Sequence, residues 1–328
     1  MFARNNVYIK QPKLVSITFN IFNFLDKYYY IFIGLAFLYL GVKDTIFSSA
    51  GIEYSFYSLF LCIASFTAYS DIRKDVKLVP FIILIIPLIL FVFYLTKHGY
   101  DMWGKMLHWE ISRNIVVNLN STFKNIPFND ASFMRHFKTP SLTAFMSFVY
   151  NNGFVVPVLI PVYRSAILKD FKKCIKYLLS AHVLQVFLIT PLYLIFHLQE
   201  VWFVLGEPDG LSRSFSSMST AYSWVINCFP SMHTSIAFAM FLLVLREKNV
   251  TFKWFWSMFC ICVIMSTMYL EIHWVIDVIA GMIFAFINVK LVDLIVDNLK
   301  KLLYRPLNLY YYKYPQSKYI TNYYLDNL

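Results

Sequence analysis

The chain alternates long apolar stretches with short polar connections. The apolar stretches fall at about 28–46, 54–70, 78–95, 142–163, 175–198, 231–245, 252–270 and 274–296, most of them close to the roughly 20 residues that an α-helix needs to cross a bilayer. The pattern therefore predicts an all-α fold, a polytopic transmembrane helical bundle of about eight spans. Residues 97–140 stand apart, mixing Trp103, Trp109, Ile115 to Val117 and Phe123 with polar positions. They are expected to lie along the membrane interface as a short amphipathic helix and to cover the helix ends.

Composition agrees: of 328 residues, 59% are hydrophobic and only 14% charged, as in a multi-pass membrane protein. A formal net charge of +11 on a soluble domain would suggest nucleic acid. Here Lys and Arg gather in short connections, which favours topology and anionic lipid headgroups and argues against a nucleic-acid partner. The cations occupy alternate connections: the N-terminus, Arg73/Lys74/Lys77, Arg164/Lys169/Lys172/Lys173/Lys176, Arg246/Lys248/Lys253, and the tail with Lys300, Lys301, Arg305, Lys313 and Lys318. These regions, both termini included, are expected on the cytoplasmic side, and the connections at 43–53, 97–140, 199–229 and 271–272 on the other. Residues 1–27 show no cleavable signal and are expected to form an interfacial helix. The Tyr-rich tail (Tyr310 to Tyr312, Tyr314) is expected to be a surface extension. Cys62, Cys174, Cys228, Cys260 and Cys262 read as small hydrophobes. Asn120-Ser121-Thr122 is a glycosylation sequon, usable only in a eukaryotic source.

The candidate chemistry sits at the heads of two apolar helices, Pro230-Ser231-Met232-His233 and His273-Trp274-Val275-Ile276-Asp277. A helix N-terminus offers free N–H groups and the positive end of the macrodipole to a phosphate. Four positions separate His273 from Asp277, which places them on one helix face, where the carboxylate can fix the tautomer of the imidazole and raise its basicity. Ionisable groups at membrane depth are costly without a role, so His233, His273 and Asp277 are candidate catalytic residues. Ser231 is a candidate phosphate ligand, and Arg213, the single cation between Gln199 and Phe229, a candidate bidentate clamp. Glu271 lies beside the site as a cap or a solvated charge. These outer connections offer too few further ligands for a metal, so chemistry without a metal or other cofactor is expected.

Phe229-Pro230-Ser231-Met232-His233, and Thr267 to His273 running on to Asp277 and Gly281, resemble the motifs of the type 2 phosphatidic acid phosphatase superfamily. The likeness is closest to its inositol phosphorylceramide synthase-like branch, as are the spacing of the two histidines and the Gly206-Glu207-Pro208-Asp209-Gly210-Leu211-Ser212-Arg213 element. It covers about 142–296. The resemblance implies that His273 is a nucleophile forming phosphohistidine and Asp277 its orienting partner. It implies that His233 protonates the leaving alkoxide and then activates the acceptor, with Ser231 helping to bind phosphate. Two elements of the hydrolase branch are missing: a Lys-x6-Arg-Pro motif before the first histidine, and a Ser-Arg pair where this chain has Ser266-Thr267. Arg213 or a cation of 97–140 must then serve the phosphate.

The expected division is an N-terminal part (1–77) with two added helices, a six-helix catalytic core (78–297) and a basic tail (298–328). The expected activity is transfer or hydrolysis of a lipid-linked phosphate ester on the extracytoplasmic face of a cell membrane, or in the lumen of an endomembrane if the source is eukaryotic. The partners are then a phospholipid or other lipid phosphate, the bilayer and a possible lipid alcohol acceptor. A simple lipid phosphate phosphatase and a lipid transporter of the same fold remain open.

Overall fold

The computed structural model describes residues 13–47, 52–111 and 117–313. Its helices are α1 (Lys13–Phe47), α2 (Ile52–Phe66), α3 (Leu78–Ile111), α4 (Asn120–Lys124), α5 (Pro140–Asn151), α6 (Val156–Ile167), α7 (Phe171–Leu178), α8 (Leu184–Ile195), α9 (Val201–Leu205), α10 (Met218–Val225), α11 (Met232–Val244), α12 (Val250–Tyr269) and α13 (Val275–Lys313). A π-helical turn, Leu179–Val183, joins α7 to α8. Side-chain caps start several of them: Thr139 for α5, Asp170 for α7, Ser217 for α10, Ser231 for α11 and Asn249 for α12 each accept from a first-turn N–H. The fold is an all-α polytopic bundle, as its apolar pattern predicts.

Each predicted span lies on a helix or a helix pair. Among the described residues, five stretches are long and apolar enough to cross a membrane: Asn20–Ile46, Leu78–Leu95, Phe171–Ile195, Val250–Tyr269 and Val275–Asn298. The pair Pro140–Asn151 and Val156–Ile167, bent by 60°, makes a sixth if it is counted as one span. Large apolar side chains such as Ile83, Leu90, Phe93, Phe187 and Ile283 face outward, where lipid replaces water. The predicted second and sixth spans correspond to α2 and α11, with 15 and 13 residues. Helix α11 is short because it is enclosed: most of its residues are buried against neighbouring helices, so it is apolar all round.

Two boundaries differ from expectation. Residues 13–27 continue directly into α1 rather than forming a separate interfacial helix, while residues 1–12 lie outside the described part. Helix α3 runs on past Leu95 to Ile111, because loss of apolar character marks where lipid ends, and no proline or cap follows to end the helix. Trp103 and Trp109 fall on that extension, Ile115 lies outside the described residues, and residues 314–328 of the tail do too, whereas Tyr310 to Tyr312 continue α13.

Residues 117–139 form a strap. A short strand, Val117–Asn118, pairs in parallel with Phe196–His197, and α4 and a 3-10 turn at Ser132–Phe137 follow. The sequon residue Asn120 is held in place here, donating to Gln199 Oε1 at 2.7 Å and accepting from Gln199 N at 2.9 Å. A glycan would attach at Nδ2, the atom that donates to Gln199.

The core is aromatic. Trp256 of α12 is fully buried, packs on Phe60, Phe252 and Phe259, and donates from Nε1 to the Pro157 carbonyl at 3.1 Å, joining α2, α6 and α12. At one end of the bundle, Arg164 (1% exposed) bonds Asp71 and Glu247, both at 2.8 Å. Glu247 also takes Lys173 and Tyr177 at 2.9 Å, and Asp71 accepts from Asn249 N at 3.1 Å. Burial works against ionisation of Asp71, yet Arg164 and Ser70 hold its carboxyl below the ordinary range. Lys176 and Arg246 meet on Asp293 at the same end. Cations of two expected cytoplasmic connections thus gather at one end, with Asp71 from a third.

Breaking a buried ion pair by removing one partner costs about 3–5 kcal/mol, because the other charge stays behind unpaired. Arg164→Met is expected to lower the thermal melting temperature of the detergent-solubilised protein clearly, while Arg73→Met, whose partner Asp75 is exposed, should leave it nearly unchanged. Equal melting of the two variants would contradict this assignment.

Candidate active site

The opposite end of the bundle holds the two histidines. Helix α13 reaches the head of α11 because Gly281 has no side chain: a Cβ there would lie 2.6 Å from the Ser231 carbonyl oxygen. Close by, Ser231 N donates to the Asp277 carbonyl at 3.3 Å. This approach brings the His233 and His273 rings to 6.2 Å between centroids, at 60° to one another. Both residues are buried, at 7% and 4% exposure.

His273 is fixed from two sides. Its backbone N–H and that of Ile272 both donate to Thr267 O, at 3.0 and 3.1 Å, which folds the α12–α13 connection tightly around Glu271 in a left-handed conformation (φ 57°). Its Nδ1 faces the Asp277 carboxylate, 3.3 Å from Oδ2 and 3.2 Å from Oδ1. Oδ2 also accepts from Trp274 N at 3.0 Å. With Nδ1 turned to the carboxylate, Nε2 is the ring atom left for chemistry.

Other sequence-predicted residues take less direct positions. Ser231 is buried, and its Oγ is engaged with Thr234 N at 3.3 Å and Thr234 Oγ1 at 3.0 Å, as the cap of α11. The first N–H groups of α11, at Met232 and His233, lack intrahelical partners by helix geometry and lie at the site. At the head of α13 the N–H groups are already taken: Val275 N bonds Asn129 O at 2.8 Å and Ile276 N bonds Asn129 Oδ1 at 2.9 Å. The expected phosphate-binding N-terminus is therefore available on α11 and capped on α13. Asn129 of the strap was not singled out by sequence, since its partners lie almost 150 positions away.

Arg213 lies at this end but is not free. Its guanidinium pairs with Glu200, bonds Asp209 Oδ2 at 2.7 Å from Nε, and lies beside the stacked rings of Trp202 and Phe215, 5.7 and 5.6 Å from their centroids. Burial disfavours its charge, but the hydrogen bonds to Glu200 and Asp209 outweigh that and raise its pKa. Glu200 is placed by Val201 N and Trp202 N, which donate to Ile272 O and Glu271 O, and Gly210 fits where a Cβ would collide with the Leu270 carbonyl. Glu271, expected as a cap or solvated charge, is buried and holds two strap cations, Arg135 and, at 3.1 Å, Lys138. Ser266 and Thr267, which occupy the place of the hydrolase Ser-Arg pair, bond back to Val263 and Ile264 carbonyls.

Cys228 is a neighbour that sequence reading passed over as packing. Its Sγ, a His273 nitrogen and an Asp277 oxygen lie within 4.8 Å of one another, a group with metal-ligand chemistry. The thiol donates to Ile272 O at 3.3 Å, and burial, with the Asp277 charge adding to it, pushes its pKa up. In this arrangement the thiol serves as a hydrogen-bond donor to the connection that carries His273.

Residues 178–301 match the family model of the PAP2 superfamily. That stretch contains Arg213, Ser231, His233, His273 and Asp277. No curated protein and no solved structure matches the chain. The match supports the type 2 phosphatidic acid phosphatase superfamily and a phosphatase-type enzyme. Together with five or more apolar helices of membrane-spanning length, it supports a multi-pass membrane protein of the lipid phosphatase type.

Replacing a side-chain cap costs about 0.5–2 kcal/mol. Asn129→Ala removes the acceptor of Ile276 N and the donor to Phe123 O. A lower melting temperature is expected, with a larger loss of activity than of folded protein, because the strap then holds the start of α13 by the Val275 N bond alone. An unchanged melting temperature and activity would show that the strap does not support the site.

Proposed function

We propose that this chain is an integral membrane enzyme that moves a lipid-linked phosphate through a phosphohistidine on His273, with its site on the extracytoplasmic face. The observation that carries this reading is the pair of imidazoles 6.2 Å apart, one of them backed by Asp277. In the first step His273 Nε2 attacks phosphorus, the P–O bond to the lipid alkoxide breaks, and His233 gives that alkoxide its proton. Charge developing on His273 is balanced by the Asp277 carboxylate. In the second step neutral His233 takes a proton from the acceptor hydroxyl, whose oxygen attacks phosphorus and breaks the N–P bond. The free N–H groups at the head of α11 and the dipole of that helix stabilise the phosphoryl oxygens. Arg213 contributes to phosphate binding by exchanging Glu200 or Asp209 for substrate, and Arg135 and Lys138, two residues' distance from His273 through Glu271, are the strap's cations for the same task.

The catalytic core spans residues 78–297, with residues 1–77 as added N-terminal structure and 298–328 as a basic tail. The cation-bearing end around Arg164 and Lys173 faces the cytoplasm, with both termini, by the positive-inside rule. The acceptor is a lipid hydroxyl, as in the inositol phosphorylceramide synthase-like branch. Two observations favour this reading: the strap lies against the head of α13, where it limits water, and no cation occupies the Ser266-Thr267 position. Hydrolysis to free phosphate is the second reading, favoured by the breadth of the matched superfamily.

Purified protein given labelled glycerophospholipid, with and without a long-chain lipid alcohol, distinguishes these. Transfer predicts label on the alcohol, and His273→Ala is expected to reduce turnover by about 10³-fold or more while the protein stays folded. Free phosphate as the only product would replace the transferase with a phosphatase. Lipid movement without bond cleavage that survives His273→Ala would make the chain a transporter.

A further inference from the structure

The bend between α5 and α6 has no assigned role in the chemistry above, yet it touches His233 with three residues. The Tyr150 ring stacks on the His233 imidazole with centroids 4.0 Å apart and an interplanar angle of 24°. The Phe154 ring lies 3.7 Å from it at 45°. Between them Gly153 comes so close that an added Cβ would sit 3.1 Å from His233 Cδ2 and 2.9 Å from Val263 Cγ1.

The bend is itself held in place. Gly153 N donates to Tyr150 O at 2.8 Å, Asn152 Nδ2 donates to Phe148 O at 2.8 Å, and Tyr57 of α2 donates to Asn152 Oδ1. The π-helical turn at Leu179–Val183 packs against α11, the helix that carries His233. Such turns within helices often mark functional sites.

The two histidines differ in what surrounds them. His273 has a carboxylate beside its ring, whereas His233 meets the ring faces of Tyr150 and Phe154. Aromatic faces are then the neighbours that favour an imidazolium, and stacking also fixes the plane of the ring. We propose that Tyr150 and Phe154 are positioning residues that cradle His233, orienting its imidazole and supporting its protonated form for the acid step. The inference rests on the phosphoryl-transfer reading. The cradle acts through ring faces, so the Tyr150 hydroxyl is dispensable.

The test compares two substrates of the full-length protein: a lipid phosphate, whose alkoxide must be protonated to leave, and a nitrophenyl phosphate ester, whose nitrophenolate leaves without a proton. Tyr150→Met keeps the volume and removes the aromatic face. It should lower kcat on the lipid about tenfold with KM within about twofold, while phosphoenzyme formation from the nitrophenyl ester stays within about twofold of wild type. Tyr150→Phe should retain wild-type rates on both, and Phe154→Leu should repeat the Tyr150→Met pattern, which keeps the test open if Tyr150→Met fails to fold. An unchanged lipid kcat in the folded Tyr150→Met protein, or an equal loss on both substrates, would overturn the cradle alone. Absence of a phosphoenzyme from either substrate in the wild-type protein would overturn the phosphoryl-transfer reading, and the cradle's role with it.

Discussion

The approach of α13 to the first turn of α11 sets the geometry on which the site depends. Gly281 is where the helices meet, against the Ser231 carbonyl, and the Asp277 carbonyl accepts from Ser231 N close by. One bulkier residue at 281 would push the helices apart and separate the imidazoles that the approach brings together. Interiors this densely packed do not absorb a methyl group without movement. The same helix carries Asp277 one turn above Gly281, so a single contact fixes the spacing of the rings and the orientation of one of them.

The two ends of the bundle solve different problems. Around Arg164 the charges are all paired, with Asp71, Glu247, Lys173 and Asn249 tying three connections together in a polar knot that leaves little unsatisfied. Around His273 satisfaction is less complete: Asp277 Oδ1 lacks a well-directed hydrogen bond, and the head of α11 keeps free N–H groups. Elements far apart in sequence support that second end. The strap caps α13 through Asn129 and holds Glu271 through Arg135 and Lys138, and the α5–α6 bend packs on His233.

Much of this was legible in the residues themselves. Apolar runs located the five or six helices of spanning length among the described residues, because lipid demands continuous apolar surface, while α2 and α11 are shorter than a span needs. The four-residue spacing of His273 and Asp277 anticipated their contact. Helix continuity was less legible: α1 and α3 extend through polar residues that favour helix without favouring lipid. Contacts made across long sequence distances were hidden altogether. Asn129, Tyr150, Phe154 and Cys228 carry no local pattern that points to the histidines, and only packing of the chain brings them there. Arg213 shows the converse, since a lone cation in a connection looks free until Glu200 and Asp209 are placed beside it.

The account stands or falls on His273 carrying the phosphoryl group. Brief exposure of the purified protein to lipid labelled in its phosphate, quenching in alkali and peptide mass spectrometry would locate the group directly. The expected result is an acid-labile, alkali-stable label on the peptide that contains His273, absent from the His273→Ala protein and accumulating in His233→Ala when the nitrophenyl ester supplies the phosphate. Label on another residue, or turnover of the lipid with no labelled peptide under any quench, would contradict it.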